Sequence, residues 1–161
     1  MEGWNTNGFD DGAWKTPDVM EAPEGKLTAQ QNPNIRVQET LKPVAVFDRP
    51  DGKYILDMGQ NMVGWLSVNL KGKKGKPVSM KFAELLQKDG SLYLANLRTA
   101  QVTDIYTPAE DGDFSWQPRF VYHGFRFVEV SGLDYKPELS AFTGHVIYDE
   151  MATTGRFETS N

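Results

Sequence analysis

From residue 35 onward, apolar and polar positions repeat with a period of two. Ile35 and Val37 alternate with Arg36 and Gln38, and Val44 and Val46 with Ala45 and Phe47. Tyr54-Ile55-Leu56-Asp57-Met58 makes a short run. Between Trp65 and Leu70, Leu66, Val68 and Leu70 share one face while Ser67 and Asn69 share the other. Val78, Met80 and Phe82 alternate with Ser79 and Lys81. This alternation predicts strands with one buried face. The same reading expects strands over residues 101–106, 114–116, 125–130 and 145–148, with a last short one over Arg156-Phe157-Glu158.

Turn chemistry separates these runs. Pro50-Asp51-Gly52, the stretch from Gly72 to Gly75, Asp89-Gly90 and Asp111-Gly112-Asp113 carry residues that tight turns favour. Pro118 ends the strand holding Phe114 and Trp116, or puts it on an edge. No window shows three clean helical turns. Phe82 to Gln87 resembles one helical turn, but Asp89-Gly90 stops it. About eight to ten short strands spaced by turns indicate an all-β antiparallel sandwich or barrel with little or no helix.

The ends of the chain differ from its middle. Trp4, Phe9 and Trp14 sit in no apolar period, and Pro, Gly, Gln and Asn recur up to Pro33. Large aromatic rings are usually buried. These three either fold back onto the core or belong with a neighbouring domain. Thr159-Ser160-Asn161 places helix-capping residue types at the end with no helix after them. The expected layout is a tail or remnant of a preceding domain over 1–17 and a linker over 18–34. The sandwich then covers 35–150, and 151–161 forms a junction to a further domain.

Composition narrows the function classes. A chain of 161 residues suits one domain, and its net charge of −5 argues against nucleic acid and anionic membranes as partners. No apolar run approaches the roughly 18 residues that span a bilayer, and Met1-Glu2-Gly3-Trp4 lacks signal-peptide character. With no cysteine, thiolate metal sites and cysteine nucleophiles are excluded. His123 and His145 have no Gly-x-Ser-x-Gly companion. Asp10-Asp11 and Asp111-x-Asp113 lack the calcium-loop pattern, and no cofactor motif occurs. The cluster Lys71, Lys73, Lys74 and Lys76 reads as a solvated hairpin.

Asp57, Glu84, Asp104 and Glu129 lie in or beside strands, where acids are rare unless paired. Glu84 continues the inward face of Val78, Met80 and Phe82. Arg98, Arg119 and Arg126 are candidate partners, and ion pairing competes with a catalytic carboxylate pair as the explanation. Trp65, Trp116, Tyr93 and Tyr122 either pack in the core or stack on sugar faces.

Four motifs stand out in order: Asp57-Met58-Gly59-Gln60-Asn61-Met62-Val63-Gly64-Trp65; Phe82-Ala83-Glu84-Leu85-Leu86 followed by Asp89-Gly90-Ser91-Leu92-Tyr93 and Asn96-Leu97-Arg98; Thr103-Asp104-Ile105-Tyr106; and the run from Pro118 to Val130 that contains Tyr122-His123-Gly124-Phe125-Arg126. In this order and spacing, over roughly residues 35 to 145, they resemble the concanavalin-like β-sandwich region of bacterial α-L-rhamnosidases. Phe9-Asp10-Asp11-Gly12-Ala13-Trp14 resembles the end of the preceding sandwich domain of that family. Residues 155–161 are similar to its junction into the catalytic domain.

The resemblance implies a jelly-roll or concanavalin-like sandwich that is not itself catalytic. The parent enzyme would be an inverting glycoside hydrolase that removes terminal α-L-rhamnose, its acid and base lying in an α/α barrel beyond this chain. The implied partner is that barrel, with a rhamnosylated glycan as the ligand of an alternative role, a carbohydrate-binding module. No catalytic residue, metal or cofactor is implied here. The resemblance favours the periplasm or the extracellular space for the parent, with the cytoplasm as the alternative. Candidate domain-interface or sugar-contact residues are Gln60, Asn61, Trp65, Glu84, Arg98, Tyr122, His123 and Arg126. Tyr122, His123 and Arg126 are expected at the surface, where rings mixed with donors suit an interface. Gly59, Gly64 and Gly124 are expected to permit bulges or close backbone approach.

Overall fold

A computed structural model describes residues 3–160. Met1 and Glu2 of the expected tail and Asn161 of the expected junction lie outside the described residues. The strands are β1 (Ile35–Leu41), β2 (Ala45–Asp48), β3 (Tyr54–Gly72), β4 (Val78–Ala83), β5 (Leu85–Leu86), β6 (Leu92–Tyr93), β7 (Thr103–Tyr106), β8 (Gly112–Trp116), β9 (His123–Ser131) and β10 (Phe142–Asp149). Among the described residues the helical segments are two 3-10 turns, Ala95–Leu97 and Leu139–Ala141.

Two units can be distinguished, residues 1–31 and 32–161. The first has no strand among its described residues. It holds itself locally: Gly12 N donates to Asp10 Oδ1 (3.0 Å), and the rings of Phe9 and Trp14 lie 5.7 Å apart. The second unit is an antiparallel β-sandwich organised by β3.

The strands expected over 54–58 and 65–70 form one continuous strand of 19 residues. Tyr54–Asp57 pairs with β2 on one side and with β9 on the other. Gly64–Val68 pairs with β10, and Val68–Gly72 with β8. One strand therefore serves both layers, β2-β3-β9-β4-β7 and β1-β10-β3-β8. The two halves stay in phase because, outside Gln60 at the bulge, the even-numbered side chains keep to one face. Leu56, Met58, Met62, Leu66, Val68 and Leu70 all enter the same core. They meet Phe82 and Met80 from β4, Phe125, Val128 and Val130 from β9, and Phe142 and Val146 from β10. Each fully buried ring or branched chain contributes about 1.5–3 kcal/mol of transfer free energy.

The hinge between the halves is a bulge. Asp57 faces Phe127 but Met62 faces Phe125, so five steps along β3 oppose two along β9. Gly59 sits inside it at φ 82°, a left-handed conformation that glycine adopts without strain.

A smaller cluster covers the outer side. Ile55, Ala83 and Phe127 point away from the main core and pack against Leu86, Leu92 and Leu94. The β5–β6 hairpin, turned by the expected Asp89-Gly90, supplies this cover. Residues 82–87 are thus the end of β4 and the start of a hairpin, not a helical turn. Residues 156–158 form no strand.

Candidate functional site

The four sequence motifs converge on the bulged end of the sandwich. The anchor is Asp57, nine-tenths buried. Its Oδ1 accepts from Arg126 Nε (2.8 Å) and from Gly59 N (2.7 Å), and its Oδ2 accepts from Arg126 Nη2 (2.9 Å). This forked pairing joins the first motif to the fourth and staples the β3 bulge onto β9. The Arg126 hydrogen bonds foremost, with Gly59 N–H in support, hold the Asp57 carboxyl below the usual carboxylate range against the opposing effect of burial. Arg126 in turn lies over the ring of Phe127 at 5.0 Å.

Next to the bulge, Glu84 is half-buried and bridges two amides. Oε1 accepts from Asn61 Nδ2 (3.2 Å) and Oε2 from Asn96 Nδ2 (3.1 Å). Glu84 therefore joins the first motif to both parts of the second. Glu84 follows Phe82 on the expected inward face but is only half-buried, and its hydrogen bonds lie at the surface. Its partners are asparagines, since the candidate arginine Arg126 is taken by Asp57. Glu129 pairs with Lys53 at 3.4 Å.

His123 differs from expectation. It is buried (8% exposed) and stacks on Phe82 with centroids 4.3 Å apart. Its Nε2 lies 2.9 Å from Asp104 Oδ1, linking the third motif to the fourth across β4. The sequence neighbours Tyr122 and Arg126 suggested a surface, but residues 123 and 125 share the core face. Asp104, which lies two strands away, gives the imidazole a buried polar partner. His123 is accordingly a core residue, buried where a surface position was expected. Gly124 is also not needed for close approach, because a Cβ there would meet only Glu84 Oε1 at 3.7 Å. Gly64 is needed: a Cβ would lie 1.8 Å from the His145 carbonyl oxygen.

The second histidine lies on the other layer. His145 faces Trp65 in register and stacks on it at 5.4 Å, while its other side meets Ser67 Oγ at 2.8 Å from Nε2. Burial, and then the nearby Lys42 charge, pushes its pKa down. The two arms of a triad are thus divided. Ser67 contacts His145, whereas Asp104 contacts His123, so neither imidazole is arranged as in a serine hydrolase.

Trp65 also lines a cleft of about 730 Å³ with Ile35, Ile147, Arg119, Phe120 and Tyr122. Trp65 is half-buried and its Nε1 donates to Gln117 Oε1 (3.2 Å). On the rim, Tyr122 is 61% exposed and Phe120 is fully exposed at φ 62°. Sequence reasoning passed over Phe120. Its one signal was a large ring directly after Pro118-Arg119, where the strand had ended. Gln60 and Asn61 lie exposed at the bulge, and Arg98 is exposed after the first 3-10 turn. The candidates therefore divide. Asn61, Glu84 and Arg126 belong to the bulged end, and Trp65 and Tyr122 to the cleft.

Fold and site together define a concanavalin-like antiparallel β-sandwich domain whose signature residues cross-link one end. A family model described as the bacterial α-L-rhamnosidase concanavalin-like domain matches residues 47–148. The chain belongs to that family. It is 39% identical over 160 residues to an α-L-rhamnosidase of Streptomyces avermitilis, covering 98% of this chain and 15% of the relative. It is 35% identical to one of Formosa agariphila, covering 100% and 18%. The solved α-L-rhamnosidase from Dictyoglumus thermophilum superposes with a TM-score of 0.86 at 37% identity, over 100% of this chain and 18% of that one. The Streptomyces avermitilis structure, complexed with L-rhamnose, gives 0.84 over 99% and 16%. The chain thus spans less than a fifth of the length of these relatives.

Proposed function

We propose that this chain is a non-catalytic accessory sandwich of an α-L-rhamnosidase, an enzyme that hydrolyses terminal α-L-rhamnose from glycans or glycosides. In this reading it packs against the catalytic barrel and supports it. The observation that carries the proposal is the exposed rim Phe120-Val121-Tyr122 beside the Trp65 cleft. An apolar surface of this kind marks an interaction site when the rest of the fold is well packed. The relatives supply a partner in the same polypeptide, since most of their length lies outside the matched part.

The test is binding of this chain to a separately expressed catalytic barrel of the parent enzyme. Association is expected, and Tyr122→Ala is expected to weaken it by about tenfold, the loss of one well-buried aromatic anchor. No association, or association insensitive to Tyr122→Ala, overturns the docking face.

A second reading, a carbohydrate-binding module, is favoured by the presence of Trp65 and Tyr122 in one cleft with Arg119. Aromatic faces beside a hydrogen-bonding side chain suit a pyranose ring. Calorimetry with rhamnose and rhamnosylated oligosaccharides separates the two. A saturable isotherm supports the module, and a flat one the scaffold.

A further inference from the structure

The Trp65 cleft rests on a titratable ring. The indole stacks on the imidazole of His145, with centroids 5.4 Å apart and planes 25° from parallel, and its Nε1 donates to Gln117 Oε1 (3.2 Å). These two contacts hold the indole where it lines the cleft. His145 is half-buried. Its Nε2 lies 2.8 Å from Ser67 Oγ, and that hydroxyl lies 3.4 Å from the Thr143 carbonyl oxygen. A neutral imidazole suits this setting, because Nε2 can accept from the Ser67 hydroxyl. An imidazolium suits it less well. Its Nε2–H must donate, so the hydroxyl has to turn to Thr143 O, a long contact for an O–H donor.

The charges around the ring act in the same direction. Thr143 and His145 share the outer face of β10. Lys42 Nζ donates to Thr143 Oγ1 (2.7 Å) and to the carbonyl oxygens of Phe142 (3.1 Å) and Ser140 (3.4 Å). Three acceptors thus anchor an ammonium beside the imidazole. From β1, neutral Thr40 faces His145 in register, whereas the acid Glu39 faces the core residue Val146. From β3, Trp65 and Ser67 are neutral. Along β10, Asp149 lies at the far end, opposite Ile35. Arg119 is the charged residue of the cleft itself. Burial first, and then the Lys42 charge, pushes the His145 pKa down. Attraction of an imidazolium to the indole face works against both. We propose that His145 is an acid-sensitive support of the Trp65 cleft: the neutral ring holds the indole in place, and protonation releases it. The effect on binding rests on the docking reading of the cleft, but the release of the indole does not.

The experiment is a pH titration of this chain by nuclear magnetic resonance, from about pH 8 to about pH 4.5. It follows the His145 Cε1–H shift and the Overhauser contacts between the His145 and Trp65 rings, with His145→Gln and Trp65→Phe assigning the signals. His145 is expected to titrate below the ordinary histidine value of about 6.5. The ring-to-ring contacts are expected to fade with the same inflection. Association with the separately expressed catalytic barrel is then measured across the same range. In the wild type it should weaken by about tenfold for each pH unit below the inflection, in proportion to the neutral fraction. His145→Gln should lose that dependence. An inflection above about 6.5, with the contacts kept in acid, would mean that the imidazolium grips the indole, and would overturn the proposal. So would contacts that do not follow the His145 titration, or equal pH dependence of association in the two chains. Absence of association at every pH, with contacts that still fade as His145 titrates, would overturn the docking reading and support the release of the indole.

Discussion

The bulged end of the sandwich and the rim of the Trp65 cleft use their distinctive side chains in opposite directions. At the bulged end Asp57, Arg126, Glu84, Asn61 and Asn96 are consumed by one another, and His123 is sealed in by Phe82 and Asp104. At the rim, Phe120 and Tyr122 reach into solvent with no comparable partner in the sandwich. Both lie in motifs that look alike as sequence, and the run from Pro118 to Val130 contributes to each. Residues that the fold pairs internally and residues that it leaves exposed therefore cannot be separated by motif membership. Satisfaction is what separates them. Changes at the bulged end should cost stability, and changes at the rim should cost only association.

The largest effect is expected at Phe82. It is fully buried, stacked on His123 at 4.3 Å and edge-on to Phe125 at 4.8 Å. Phe82→Ala opens a cavity beneath the buried His123–Asp104 pair and is expected to cost about 3–5 kcal/mol. Urea unfolding monitored by circular dichroism measures it. A loss under about 1 kcal/mol would show that this end is not held from within. A smaller cost, about 1–3 kcal/mol, is expected for Gly64→Ala, where the added methyl meets the His145 carbonyl and β3 must part from β10.

Asp57→Asn sharpens the contrast through its pH dependence. The carboxyl is depressed in the folded chain by Arg126 and Gly59, so the unfolded chain binds the proton more readily. The stabilisation is present above the unfolded pKa of about 4 and is lost as pH falls through the lower folded value. The variant should melt below the wild type at pH 7, and the gap should close below about pH 4. A gap of constant size between pH 7 and pH 3 would mean that Asp57 acts through packing rather than through its charge.

Much of this arrangement was legible in the sequence. Two-residue alternation marked β3, β4, β9 and β10 because each has one face in the core. It did not show that β3 runs unbroken, because Gly59-Gln60-Asn61 carries the same chemistry as a turn. A bulge and a turn differ only in what the following residues pair with. The β5–β6 hairpin escaped notice because two residues per strand show no period. In the site, an acid on a strand face required a partner, and Arg126 was a candidate, but sequence could not assign it to Asp57 rather than Glu84. His123 was misjudged because its partner Asp104 is reached across β4. The left-handed backbone of Phe120 leaves no compositional trace.

Phe120 provides the sharpest test because the expected effect on the fold is the smallest. At φ 62° a side chain costs about 1–2 kcal/mol relative to glycine, and glycine costs about 0.5–1 kcal/mol more to order from the unfolded chain. The two largely cancel, and a fully exposed ring contributes no burial. Phe120→Gly should therefore leave unfolding free energy within about 1 kcal/mol of the wild type. If the rim is a docking surface, the same substitution should weaken association with the catalytic barrel about tenfold. A residue that is nearly neutral for folding and costly for binding is what a strained, exposed aromatic predicts. If Phe120→Gly instead destabilises the isolated chain by several kcal/mol, the ring is packed in solution, and the distinction between a self-satisfied end and an outward-facing rim fails.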